Sequence, residues 1–167
     1  QLLARQGNLD AGRRHLQEVR AAGNADRIQL LLAESQLLRD GGRTQEAYEL
    51  LAGGLATQPE QSELLYESAL LAEKLGRHEA MEASLRKLIR LKPEHAHAYN
   101  ALGYSFAERN QRLEEAEQLV LKALQLSPDD PFIIDSMGWV LYRKGDNQGA
   151  LTHLQRAFSI RPDPEIS

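Results

Sequence analysis

Apolar residues recur along this chain at three- and four-residue intervals, in blocks of about four helical turns broken by short polar stretches. The clearest block sets Ile134, Met137, Gly138 and Leu141 on one face. The pattern predicts helices in pairs. A first helix of each pair starts near Asp26, Gln61, His95 or Asp130 and ends at a Gly or Asn; the second begins two or three residues later and ends before a Pro. Asp130 followed by Pro131 reads as an N-cap with Pro at the first helical position, and Thr44 and Asp146 read as N-caps of second helices.

The pairs repeat. Proline stands at Pro59, Pro93, Pro128 and Pro162, at spacings of 34, 35 and 34. A turn residue stands at Gly7, Gly42, Gly76, Asn110 and Gly145; Asn fits that series because it is the next best residue to Gly in a left-handed helix-ending conformation. Two further ladders share the period: Gly12, Ala47, Met81, Ala116, Ala150 and Leu16, Leu51, Leu85, Val120, Leu154. One single-residue insertion falls between Asn110 and Ala116, and another in the loop around Ala21–Asp26, where added residues cost little. A lone helical hairpin cannot bury its apolar face, so the expected fold is all-α, with hairpins stacked on their neighbours.

These residues resemble the tetratricopeptide repeat, a 34-residue unit with the pattern W-x2-L-G-x2-Y, then A-x3-F, then P. The last unit shows Ile134, Met137, Gly138 and Leu141, then Ala150, Leu154, Ala157 and Pro162; the one before shows Tyr99, Leu102, Gly103 and Phe106, then Ala116, Val120, Ala123 and Pro128. The two earlier units replace the Leu-Gly pair by Glu34-Ser35 and Ser68-Ala69. The resemblance implies a right-handed superhelical solenoid of antiparallel helix pairs, about four and a half units long. It divides into a partial repeat at 1–24 and repeats at 28–61, 62–95, 96–130 and 131–164. Gly53-Gly54 within one second helix reads as a tight contact at Gly54, or else as a joint between the first two full units.

Composition narrows the chemistry. The 167 residues are 42% hydrophobic and 26% charged, a globular balance rich in Leu and Ala. A net charge of −4 speaks against a nucleic-acid binder, which needs a basic surface. The chain has no Cys, and no apolar run approaches the roughly 20 residues that span a bilayer. It opens on "QLLARQG" and reads as a segment of a longer protein. His95 and His97 stand two apart near a helix start, a spacing at which helical side chains do not face each other and so chelate poorly. No nucleophile–base series or phosphate loop stands out. The expectation is no catalysis, no cofactor and no metal.

In the resembled family the first helices line the concave face. The fourth, seventh, eighth and eleventh positions of each unit build the core, and the second, fifth, sixth, ninth, twelfth and thirteenth point into the groove. That frame makes a partner-binding groove of Gln36, Arg39, Glu63, Tyr66, Glu67, Leu70, Glu73, His97, Asn100, Tyr104, Glu108, Phe132, Asp135, Trp139, Tyr142 and Arg143, with Ala107 and Ser136 also turned inward. The strip holds more acids than bases and five of the nine aromatics. These aromatics either anchor a ligand, as Tyr and Trp do well, or pack between neighbouring first helices. The Lys–Arg–Asn clamp of family members that hold chaperone carboxyl termini is missing here. The acidic strip suits an extended basic or apolar protein segment better than an acidic one.

Residues 97–167 are also similar to the C-terminal repeats of large proteobacterial tetratricopeptide proteins. Some of those are outer-membrane lipoproteins facing the periplasm, and one is the adaptor of a carboxyl-terminal processing protease. The resemblance implies a bacterial envelope scaffold, with a cytoplasmic setting as the alternative. Two roles follow: a non-enzymatic adaptor that binds a protein or peptide in its groove, or an architectural segment that packs on its own flanking domains or self-associates. For the latter, the last second helix would expose Leu151, Leu154, Phe158 and Ile160.

Overall fold

The computed structural model describes residues 7–15 and 27–160, and every regular element among them is an α-helix. They are α1 (7–15), α2 (Arg27–Asp40), α3 (Thr44–Thr57), α4 (Ser62–Lys74), α5 (His78–Leu91), α6 (Ala96–Glu108), α7 (Leu113–Leu126), α8 (Pro131–Arg143) and α9 (Asn147–Ile160). The expected pairs are α2–α3, α4–α5, α6–α7 and α8–α9. Leu16, the loop at Ala21–Asp26 and Pro162 lie outside the described residues. Two compact units divide the chain, Gln1–Ser84 and Leu85–Ser167.

Each hairpin is closed by the same chemistry. At the end of α4, the Gly76 N–H donates to the Glu73 carbonyl and the Arg77 N–H to the Ala72 carbonyl, the paired bonds of a Schellman motif. Gly42, Asn110 and Gly145 repeat it, and the four turn residues have φ of 76°, 75°, 53° and 93° in chain order. In three turns the residue that makes the long bond also starts the next helix: the carbonyls of Arg43, Arg77 and Asp146 accept from Ala47, Met81 and Ala150. Arg43 thereby takes the cap position expected for Thr44, which falls inside the first turn of α3. Asp146 does cap α9, its carboxylate accepting the Gly149 N–H at 2.9 Å. The inserted residue of the third turn separates the two duties. Gln111 makes the long bond to Phe106, and Arg112 becomes the N-cap of α7 in a left-handed conformation at φ 47°.

First helices are capped as the sequence implies at Asp130, whose Oδ1 accepts from the Phe132 and Ile133 N–H groups. His95 caps α6 through Nδ1, which accepts the Ala98 N–H at 3.1 Å. Burial pushes the His95 imidazole below its usual pKa, which favours the neutral ring that can accept there.

Packing of the first unit centres on Leu31, Leu38, Ala47, Leu51, Leu64 and Leu71. A Cβ added at Gly54 would stand 3.0 Å from Leu31 Cδ1 and 3.1 Å from Leu64 Cδ1, so Gly54 is the tight contact where α2, α3 and α4 meet. Gly53 faces open space. In the second unit a Cβ at Gly103 would stand 2.9 Å from the Ala116 carbonyl, and one at Gly138 3.2 Å from that of Ala150. These two glycines let α6 and α8 approach the backbones of α7 and α9. The core positions hold with two exceptions: Tyr99 and Leu141 are only half-buried, and in α8 Ile133 and Val140 are fully buried instead. They form a second stripe, at the third and tenth positions, which Leu64 and Leu71 of α4 and Ala98 and Ser105 of α6 share. At the far end, Leu151, Leu154, Phe158 and Ile160 of α9 are exposed as expected, while the counterparts of Leu154, Leu51 and Val120, are fully buried.

The first full unit, lacking the Leu-Gly pair, buries a charge. Glu34 is 1% exposed and accepts from Arg13 Nε of α1 at 2.9 Å; Arg13 also reaches Glu46, and Arg43 joins Asp10 to Glu46. Breaking one side of a buried pair costs more than replacing both partners with apolar groups. Arg13→Met is therefore expected to destabilise the protein by about 3 kcal/mol, and Arg13→Met/Glu34→Met to recover most of that loss. Denaturant melts of the two variants check this; equal losses in both would show that the pair is not the source.

Candidate functional site

The groove positions come from first helices, and the two units build them differently. In the first unit, polar groups pair across and along α2 and α4. Gln29 donates to Glu63 at 3.0 Å, Arg39 to Glu67 at 3.1 Å and Gln36 to Asp40 at 2.8 Å. Glu73 meets His78 Nδ1 at 3.2 Å. Tyr66 and Leu70 lie half-buried between these pairs. The acids read from the sequence as a repulsive field are largely occupied by neighbours within their own unit. A separate open depression of about 320 Å³ lies between α2 and α3, lined by Arg27, Ile28, Glu49, Gly53 and Thr57, and none of the groove residues borders it.

In the second unit, α6 and α8 pack side by side and carry aromatics. Tyr104, Phe132 and Tyr142 are 44%, 56% and 54% exposed. Trp139 is half-buried, stacked on Tyr142 with ring centroids 5.5 Å apart and planes 20° apart. The Arg143 guanidinium lies 5.2 Å from the Trp139 ring centroid, within cation–π range. Arg143 is not an outward-facing cation. Its Nε donates to the Ala107 carbonyl at 2.9 Å, which also accepts the Asn110 N–H, and its Nη2 to that of Glu108 at 2.8 Å, tying the end of α6 to the neighbouring first helix. His97 Nε2 stands 3.5 Å from Asp130 Oδ2, and His97 and Glu108 are exposed. Asp135 and Asn100 are half-buried. Asn100 Oδ1 and Trp139 Nε1 are buried with no hydrogen-bond partner.

Two positions turned inward by the sequence frame are not available. Ala107 is fully buried and Ser136 is 5% exposed, its hydroxyl donating to the Phe132 carbonyl. The side-by-side packing of α6 and α8 covers these flanks of the strip. The sequence reading also missed the double role of Arg143. The available signal was a base in the last turn of α8, 35 residues after Glu108 at the same place in α6. Among the described residues no three His, Asp or Glu side chains are placed to hold a metal, and no helix is long and apolar enough to cross a membrane.

Arg143→Met removes two charge-assisted bonds to a helix end. It is expected to lower stability by about 2 kcal/mol and to shift the emission of Trp139, the only tryptophan. Urea melts followed by fluorescence check both; an unchanged midpoint would mean that solvent satisfies the α6 carbonyls equally well.

Comparison with known proteins agrees with this architecture. Residues 66–131 match the model of the tetratricopeptide repeat family. The chain is 39% identical over 166 residues to a TPR repeat-containing protein of Pseudomonas aeruginosa, an alignment covering 99% of this chain and 28% of that protein. The chain thus spans a little over a quarter of that relative's length. Among solved structures it is similar to a tetratricopeptide repeat protein of Parabacteroides merdae (TM-score 0.79, 21% identity, 96% of this chain and 63% of that one). MamA of Desulfovibrio magneticus gives a TM-score of 0.76 at 22% identity over 94% and 88% of the two chains. YrrB, described as a TPR protein with an unusual peptide-binding site, gives 0.71 at 18% identity over 99% and 84%. At such identities the structural likeness carries the fold alone.

Proposed function

We propose that the chain, whose residues 66–131 match the tetratricopeptide repeat family, is a non-enzymatic scaffold whose first-helix faces take a segment of a protein partner. One observation carries this reading. In α8 the third, fourth, seventh, eighth and tenth positions are buried, while Phe132 and Tyr142, at the second and twelfth, keep large aromatic area beside them that the core does not use. Tyr in that setting supplies contact area at small cost in side-chain entropy. The peptide-binding site ascribed to YrrB supports the same use of this fold. The similarity of residues 97–167 to envelope repeat proteins adds a finer proposal, an adaptor working in the bacterial envelope that brings a protease to its substrates.

A photo-crosslinking residue at Tyr104, set against one at the exposed Gln118 on α7, tests both levels in cells making the full-length parent protein. Adducts are expected at 104 and not at 118, recovered with periplasmic or outer-membrane material and including a protease. Equal labelling at both positions would remove the groove from the account; adducts confined to the cytoplasm would remove the envelope setting.

The second reading, self-association, rests on α9. Leu151, Leu154 and Phe158 form an apolar face 44–50% exposed, on a helix type that is covered wherever another first helix follows. A patch of this kind marks an interface. Light scattering over a concentration series would show a dimer lost in Leu154→Glu/Phe158→Glu; a wild-type monomer at the highest concentration would dismiss this reading.

A further inference from the structure

Two histidines stand at the start of α6, and each ties it down in a different protonation state. His95 is the N-cap: its Nδ1 accepts the Ala98 N–H at 3.1 Å, an N–H that the His95 carbonyl also accepts at 3.1 Å. Only a ring nitrogen without a proton can accept, so the side-chain bond belongs to the neutral imidazole. Two residues on, His97 turns Nε2 toward α8, 3.5 Å from Asp130 Oδ2. That contact is an ion pair only when the imidazole is charged. Asp130 caps α8 through its other oxygen, Oδ1, so the pair joins the starts of the two first helices. The first helices α4 and α8 start differently: Gln61 makes no side-chain cap bond, and the Asp130 cap is a carboxylate. We propose that the start of α6 is an acid-sensitive joint that changes tethers: the neutral His95 holds it by capping its own helix, and the protonated His97 holds it to α8 through Asp130.

The direction of the response follows from the donors. A proton on His95 Nδ1 turns the acceptor into a second donor facing the Ala98 N–H. It also sets a positive charge at the end of a helix that already carries a partial positive one. The charged and titratable groups around His95 are Lys92 and Glu94 in the connection before α6 and His97 within it; from α8, Asp130 faces His97. Burial does most to lower the His95 pKa, and His97 and Lys92 add to it, while a backbone bond and Glu94 oppose them. In the unfolded chain an imidazole takes its proton near about pH 6.5, and in the fold His95 takes it only at lower pH. The cap's contribution is therefore complete above about pH 6.5 and is lost as pH falls through the lower folded value. The His97–Asp130 pair runs the other way, strengthening as His97 gains its proton, and salt screens it because His97 is half exposed. Above neutrality α6 is held from within; in acid it leans on α8. Two groove positions, His97 and Asn100, ride on these first residues of α6, so the device works on the strip whatever the strip binds.

The test is an NMR titration of the whole isotope-labelled chain from about pH 8 to about pH 5. It is read at the imidazole nitrogens and by amide hydrogen exchange corrected for its intrinsic pH dependence. At the alkaline end the His95 ring is expected to carry its proton on Nε2 and none on Nδ1. Exchange at Ala98 is expected to quicken about fivefold across the titration, the effect of losing one cap. His95→Asn, a cap that does not titrate, is expected to flatten that profile. His97→Gln is expected to leave exchange at the alkaline end within about twofold of wild type and to raise it about threefold at the acid end, an effect that roughly 0.5 M salt reproduces in the wild-type chain. A His95 ring protonated on Nδ1 at the alkaline end would overturn the inference without any variant. So would a pH profile at Ala98 that survives in His95→Asn, or a His97→Gln effect of the same size at both ends of the titration.

Discussion

A first helix of thirteen or fourteen residues and a second of fourteen, joined by a tight turn, leave one apolar edge that they cannot cover themselves, and the other properties of this protein depend on covering it. The need shows in side-chain size. The eighth position of each first helix is Ser35, Ala69, Gly103 and Gly138, small in all four, because the second helix of the same pair must come to backbone distance there. It also shows in the second buried stripe. Leu64 and Leu71 of α4 are fully buried, whereas the matching Leu30 and Leu37 of α2 are half-buried. In α4 and α8, with one stripe committed within the pair and another to the preceding pair, one side of the helix is left over. That remainder is where recognition can be written without disturbing the fold.

The turns impose a second regularity. Because one residue completes the Schellman bond of the first helix and begins the second, the angle between paired helices is set by backbone chemistry more than by side chains. The third turn separates those two functions at the expense of a non-glycine residue, Arg112, at positive φ. Its guanidinium lies 5.1 Å from the Phe106 ring centroid, an interaction that offsets part of the backbone strain.

Most of this was legible in the sequence because it is periodic. Pro and Gly ladders placed the turns within a residue or two, and the burial of Met137 and Gly138 follows the apolar pattern, while that of Leu31 follows the frame of the resembled family. Thr44 illustrates the limit: its type favoured a cap, but the backbone bond of Arg43 claimed that place. Arg143 illustrates another. Its position in the repeat was right, yet position cannot tell whether a long flexible side chain reaches outward or folds back onto a neighbouring helix end. Ala107 and Ser136 failed for a related reason, since the width of the exposed strip depends on how closely α6 and α8 pack. Glu34 broke the pattern visibly; what the pattern lacked was its partner, 21 residues away in another pair.

That partnership bears on how such a chain can change over time. Repeat arrays grow and shrink by duplication and deletion, a process that treats units as interchangeable bricks. A unit carrying a carboxylate at a core position is not interchangeable. It is at home only behind a neighbour that offers a cation at the height of Arg13, and copied elsewhere it would carry a buried charge into an apolar seam. The Arg13–Glu34 pair thus gives the first full repeat an address, and makes the order of the units part of what is inherited along with their number.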